Sequence, residues 1–214
     1  MEDCLIGDCA LSACIYTGID LRKDVNKVPP GQEVIKRILR WGIDHPGISP
    51  IIPRIDRENW TLRVEGEVEK PAILDWTTFL GLGVKESIGD FHCVEGWSVL
   101  ECKWQGVLFR KLSEHVRLNK EARFVRVTCH DEYTTSLPLE VVLDDDVLLA
   151  CKLNGRWLEP ELGGPVRLIV PKKYAYKSAM WMKLIEFTKT DQLGYWESRG
   201  YSNTADPWKN DRLA

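Results

Sequence analysis

The residues best suited to chemistry fall in four short stretches. The first is Gly89-Asp90-Phe91-His92-Cys93-Val94-Glu95-Gly96-Trp97-Ser98, where a cysteine stands beside a histidine between two glycines. A thiolate is both a nucleophile and a soft metal ligand, and a nearby cationic group stabilises it. Taken alone, the same pattern also suits a buried, inert cysteine. The second stretch, Thr128-Cys129-His130-Asp131-Glu132-Tyr133, puts polar residues at the end of a β-branched run, as a site or as an ordinary turn. In the third, Gly163-Gly164-Pro165-Val166-Arg167, an arginine opens an otherwise apolar run and needs a buried anion or a carboxylate partner. The fourth is Pro171-Lys172-Lys173-Tyr174-Ala175-Tyr176-Lys177-Ser178-Ala179-Met180-Trp181. Its lysines and Lys177-Ser178 suit a phosphate held by backbone donors and an ammonium, or else a solvated basic turn.

Other chemistries lack their residues. The seven cysteines stand at 4, 9, 14, 93, 102, 129 and 151, with no C-x-x-C, and the four histidines form neither H-x-H nor H-E-x-x-H. Zinc ribbons, thioredoxin-like pairs, covalent haem attachment and histidine-based metal sites are therefore unsupported. Cys4, Cys9 and Cys14 form C-x4-C-x4-C, one ligand short of a cluster, so no iron–sulfur centre is expected. With 29 Lys+Arg against 32 Asp+Glu, a net charge of −3, non-specific nucleic-acid binding is excluded. No apolar run approaches the roughly 18 residues of a membrane span. Met1-Glu2-Asp3 is acidic where a secretory signal is basic. The expectation is a cytoplasmic protein with reduced cysteines.

Several elements must position these stretches. Residues 1–27 read as a leader, and Val28-Pro29-Pro30-Gly31 opens a main body over 28–214. Apolar residues at 34, 35, 38, 39 and 41 predict a helix over 32–41, and three prolines make 45–53 a loop. Strict alternation predicts a strand over 60–65, and Asp75 caps a short helix reaching Leu80. Strands are predicted over 123–129, 147–153, 166–170 and 184–187, with Asn154-Gly155 turning a hairpin into Arg156-Trp157-Leu158. Ser136 and Pro138 suit the start of a helix to Leu143, and the aromatic tail after Gly194 reads as a surface wrap. The sum is one mostly-β α+β domain.

Together the four stretches resemble the oxidoreductase molybdopterin-binding domain of the sulfite oxidase superfamily, in its compact bacterial and archaeal form. The resemblance rests on Phe91-His92-Cys93-Val94-Glu95-Gly96-Trp97-Ser98 and Tyr133-Thr134-Thr135-Ser136-Leu137-Pro138-Leu139-Glu140. It continues through Gly163-Gly164-Pro165-Val166-Arg167-Leu168, Tyr174-Ala175-Tyr176-Lys177-Ser178-Ala179, Gly194-Tyr195-Trp196-Glu197 and Asp206-Pro207-Trp208. It implies a mixed α+β domain cradling one molybdenum–molybdopterin, with Cys93 as the metal ligand, His92 beside it, and Cys93 and Tyr133 as catalytic residues. It also implies pterin contacts at Thr128, Cys129 and His130. Arg167, Lys177, Ser178, Ala179 and Met180 would hold the phosphate end. The reaction implied is oxygen-atom transfer to or from a small substrate, with electrons exchanged with a separate redox partner. Two positions depart from the family's pattern: Leu162 stands where His or Asn is usual, and Met180 where Lys is frequent. No match exists for the arginines that surround an oxyanion substrate, Arg54 and Arg57 being the nearest. The rival from another class is a non-catalytic relative that binds a phosphate-bearing ligand or a protein partner.

Overall fold

The computed structural model describes residues 28–45, 48 and 51–214. The leader and its Cys4, Cys9 and Cys14 lie outside the described residues, as do positions within the proline loop. Eleven strands follow in chain order: β1 Glu33–Val34, β2 Thr61–Gly66, β3 Ala72–Asp75, β4 Val84–His92, β5 Trp97–Leu108, β6 Phe124–Cys129, β7 Thr134–Pro138, β8 Leu148–Leu153, β9 Arg156–Trp157, β10 Arg167–Ile169 and β11 Met182–Thr188. Three short helices intervene, α1 Trp76–Gly81, α2 Phe109–Val116 and α3 Leu139–Val142. Among the described residues no helix is long and apolar enough to cross a membrane.

The strands form two sheets. One runs β1-β5-β8-β10, with β4 on β5 and β9 on β8; the other runs β3-β2-β11-β6-β7. The main core lies between them, because alternation sends Val107, Leu149 and Leu168 inward to meet Leu62, Val64, Val127 and Ile185. The first sheet is buried on its other face as well: Phe91, Trp104, Leu148, Ala150 and Ile169 pack there with Ile38. That second face matters for function, since Arg167 alternates with Leu168 and therefore points to it. A continuous apolar strand is the sequence signature of a sheet covered on both sides.

Much of the pattern reading holds locally. β2 buries Leu62 and Val64 and exposes Thr61 and Arg63, and the Asp75 carboxylate accepts from Thr78 N–H at 2.8 Å to start α1. Asn154 and Gly155 adopt φ of 50° and 78° and turn β8 into β9, as an Asn-Gly hairpin requires.

Three expectations are corrected. Residues 32–41 form no helix: only Glu33 and Val34 are regular, paired parallel with Trp97 and Ser98. The Glu33 and Ile35 amides donate to the Gly96 and Ser98 carbonyls at 2.8 Å, and Trp41 N–H to Glu161 at 2.8 Å. A sheet edge takes the donors that a helix would have used, overriding a weak local preference. Ser136 and Pro138 belong to β7, pairing with Arg126 and Phe124, so the helix starts at Leu139. The tail is no surface wrap: Glu197, Ser202, Ala205 and Pro207 are buried.

Candidate functional site

Cys93 stands on the turn that joins β4 to β5. Its amide donates to the Trp97 carbonyl at 2.8 Å, and its carbonyl accepts from Gly96 N–H at 3.1 Å. Gly96 takes φ 101°, a value that favours glycine. Burial pushes the Cys93 thiol up to about 12, so without a metal it is protonated at neutral pH. A soft metal ion binding there releases that proton. The Sγ atom lies 3.9 Å from Glu95 Oε2, and Glu95 Oε1 lies 2.8 Å from His45 Nε2. Among the described residues, no group of three or more His, Cys, Asp or Glu is arranged to hold a metal ion. Among the described residues Cys93 is the one cysteine that lines the cavity beside it.

Arg167 is 3% exposed. It donates through Nη1 to the Leu162 carbonyl at 2.9 Å and through Nη2 to the Ser178 carbonyl at 3.0 Å, while its Nε has no partner. The guanidinium lies 5.1 Å from the Phe91 ring and 5.7 Å from that of Trp104. Burial lowers its pKa to about 10, and the groups that oppose this are the thiols of Cys102 and Cys129, with no carboxylate among them. At neutral pH it remains a buried cation, and no carboxylate among the described residues forms an ion pair with it. That is an expensive arrangement unless an anion completes it.

Both groups line one cavity of about 290 Å³. The predicted residues Cys93, Tyr133, Arg167, Ser178, Ala179 and Met180 come together there. Tyr133 donates its hydroxyl proton to the Tyr176 carbonyl at 2.6 Å, and Ser178 Oγ accepts from Val170 N–H at 3.0 Å. The wall is shaped by the Gly163-Gly164 pair. A Cβ on Gly163, which has φ 89°, would stand 2.8 Å from Met180 Cβ, and one on Gly164 would stand 2.2 Å from the Leu158 carbonyl oxygen. Leu162 contributes its carbonyl to Arg167 while its side chain packs on the second core.

Five predicted residues do not line the cavity. His92 is buried behind Cys93 with Nδ1 2.8 Å from Ser98 Oγ. Thr128 sits in the ladder opposite Thr134 and Leu184. Cys129 is buried in the main core, and burial pushes its thiol well above the usual range. His130 donates its amide to the Trp181 carbonyl at 2.9 Å. Lys177 also lies outside the cavity wall. Its side chain is fully buried, and Nζ donates to the Ser136 carbonyl at 2.8 Å, to Glu197 and to Asn203 Oδ1 at 2.9 Å. An ammonium has three protons, and all three are committed. Arg57 is also elsewhere, 4.8 Å over the Trp157 ring beside a separate cavity of about 180 Å³, and Arg54 lines neither cavity.

The residue-by-residue reading missed much of the wall. Ile38, Leu39 and Trp41 reach the cavity from the irregular stretch expected to be helical, His45 from the expected loop, and Trp196 and Tyr201 from the tail. Aromatic density was the one signal for the tail residues. Glu95 and Asp131 bring carboxylates, and among the described residues Arg167 is the single arginine or lysine lining the cavity.

Comparison with known proteins agrees with this geometry. Residues 48–196 match the family model described as the oxidoreductase molybdopterin binding domain. The chain is 38% identical over 200 residues to the uncharacterized oxidoreductase YuiH of Bacillus subtilis, covering 93% of this chain and 98% of that protein. It is 34% identical over 158 residues to the protein-methionine-sulfoxide reductase catalytic subunit MsrP of Campylobacter jejuni, covering 66% of this chain and 53% of that one. The crystal structure of the sulfane dehydrogenase SoxCD from Paracoccus pantotrophus superposes with a TM-score of 0.61 at 21% identity, over 65% of this chain and 41% of that one. The last likeness speaks for the fold alone. With its lone thiol and unpaired guanidinium in one cavity, and with these matches, the chain belongs to the oxidoreductase molybdopterin-binding domain family.

Proposed function

We propose that the chain is the catalytic unit of a molybdenum–molybdopterin oxidoreductase that transfers one oxygen atom to or from a small, uncharged substrate. The observation that carries this is the placement of Cys93 and the unpaired Arg167 in one cavity. A phosphate-bearing dithiolene cofactor with a soft metal calls for those two groups: a thiolate at the metal end and a cation at the phosphate end. When bound, the cofactor supplies the two-electron oxygen-atom chemistry. Cys93 would hold the metal as its thiolate, and Arg167 would hold the phosphate through its free Nε and remaining N–H groups, beside Ser178, Ala179 and Met180. Tyr133, with its proton engaged by Tyr176, stands at the wall as the residue to position substrate. The apolar rings of Trp41, Trp97 and Trp181 keep water from the reacting groups.

Charge narrows the substrate. An oxyanion would meet Glu95 and Asp131 in this cavity, and Arg167, the one arginine or lysine lining it among the described residues, would be taken by the phosphate. A neutral sulfoxide meets no such penalty, and the name of the Campylobacter relative, a methionine-sulfoxide reductase, supports that class. That relative is also named a catalytic subunit, which supports a separate redox protein as electron partner. The test is metal analysis followed by turnover. About one molybdenum per chain, with reduction of a dialkyl sulfoxide by an artificial electron donor and no oxidation of sulfite, is expected. Protein that takes up no molybdenum when produced in a cofactor-replete host would overturn the reading in favour of a non-catalytic binder.

A further inference from the structure

Two side chains outside the cavity hold the turn that carries the thiol. The peptide after Cys93 and the one after Val94 present their carbonyls on that turn, and each receives a donor from a distant part of the chain. Gln32 Nε2 donates to the Cys93 carbonyl at 3.0 Å, and Gln32 Oε1 accepts from Ser98 Oγ–H at 2.9 Å. Ser98 has one hydroxyl proton, so its oxygen must accept from His92 Nδ1–H, 2.8 Å away. The result is a one-way chain of donors, His92 to Ser98 to Gln32 to the Cys93 carbonyl, and all three side chains are buried. From the other side, Arg212 donates through Nη1 to the Val94 carbonyl at 2.7 Å and through Nη2 to the Gly31 carbonyl at 3.0 Å. Its Nε is held by Asn210 Oδ1 at 2.8 Å.

A tight turn closed by two internal hydrogen bonds can still rock about its ends, and rotation of the peptide after Cys93 swings Sγ. Functional groups must be held within about 0.5 Å, and a misplacement of about 1 Å costs on the order of a hundredfold in rate. We propose that Gln32 and Arg212 are positioning residues for Cys93. They lock the two carbonyls of its turn and so set the direction from which the thiolate meets the metal. This rests on the reading of Cys93 as the metal ligand. Neither residue lines the cavity, so neither touches substrate.

The experiment uses the loaded protein with Arg212→Met, Arg212→Lys and Gln32→Glu, the last keeping the acceptor for Ser98 while losing the donor to Cys93. Arg199→Ala is the control, a tail arginine whose side chain donates to the Tyr195 carbonyl at 2.7 Å and lies over the Tyr195 ring. Four quantities are read: the rate of molybdenum loss to a chelator, the electron paramagnetic resonance signal of the one-electron-reduced metal, kcat and KM, and the melting temperature of the cofactor-free chain. Arg212→Met is expected to lose molybdenum about tenfold faster, equivalent to about 1.4 kcal/mol, with a shifted or split signal and a lower kcat at unchanged KM. Arg212→Lys, which keeps one bridge, should fall between it and wild type, and Gln32→Glu should show the same changes to a smaller degree. Wild-type retention, signal and kcat in all three variants, with a change in melting temperature alone as in Arg199→Ala, would overturn the proposal. A raised KM at constant kcat would also overturn it. Should Arg212→Met not fold, the other two variants decide. Wild-type protein that binds no molybdenum sinks the reading of the site itself, an outcome distinct from wild type binding while the variants match it.

Discussion

Replacing Arg167 by methionine separates cofactor binding from folding, because a buried charge burdens the cofactor-free chain and serves the loaded one. In the cofactor-free chain the substitution removes a buried cation with which no carboxylate among the described residues forms an ion pair. Exchanging buried charge for apolar packing is often neutral or stabilising by about 1–4 kcal/mol. Against this stand the Leu162 and Ser178 carbonyls, which lose their donors at about 1–3 kcal/mol for each acceptor left dry. The central values, about 2.5 kcal/mol gained and about 4 kcal/mol lost, leave a net destabilisation of about 1–2 kcal/mol. Cofactor binding loses a charge-assisted contact worth roughly 1.5–3 kcal/mol, or about one to two orders of magnitude in affinity. Lys177→Met should do the reverse. It strands the Glu197 carboxylate at 0% side-chain exposure, and breaking a buried pair costs about 3–5 kcal/mol of stability. The assay is urea unfolding of the cofactor-free variants alongside molybdenum and pterin content at equal foldedness. Arg167→Met that keeps its cofactor, or that unfolds as readily as Lys177→Met, would refute the reasoning.

Three further outcomes follow from the same geometry. Cys93→Ser should fold normally yet carry no firmly held molybdenum, since a hydroxyl is a poor substitute for a soft thiolate; metal content and far-UV circular dichroism check it. In cofactor-free protein Cys93 should be alkylated by iodoacetamide on the order of a thousandfold more slowly than in the denatured chain at pH 7.5, because a thiol titrating at about 12 is almost wholly protonated there. The rate should climb as pH rises beyond 9, by peptide mass spectrometry. Gly163→Ala should lower the melting temperature more than Gly155→Ala: both have positive φ, but at Gly163 the new Cβ also meets Met180 while at Gly155 it meets open space. The strained backbone alone accounts for about 1–3 kcal/mol.

Legibility in the sequence depended on whether a residue's partner was local. Arg167 could be singled out because its apolar neighbours announce burial, and burial of a charge is a physical problem on its face. Lys177 looked like a phosphate ligand because the carboxylate that claims it, Glu197, lies twenty residues on, in a tail with no periodicity. The Asp75 cap and the Asn154-Gly155 turn were readable because their hydrogen bonds close within four residues. The 32–41 stretch was misread for the opposite reason. Its apolar spacing resembles a helix stripe, but Ile38 serves the second core and Leu39 and Trp41 the cavity. The long β4–β5 hairpin left little pattern, since most of β4 is exposed or half-buried and offers no alternation. Helix α2 did carry a stripe, burying Phe109, Leu112, Ser113 and Val116, and it went unread beside the stronger strand signals.

The brace on the cysteine turn also has a consequence in time. Val94 and Arg212 are separated by 118 positions, and ribosomes add about 5–20 residues per second. During synthesis the thiol is therefore made roughly 6–24 seconds before the arginine that pins its turn. For that interval the nascent chain carries the cysteine with Gln32 as the one brace yet made, and without the burial that later holds it protonated. On the proposed reading, firm capture of the cofactor's metal waits until the Arg212 side chain can reach the Val94 carbonyl, later than the synthesis of the thiol itself.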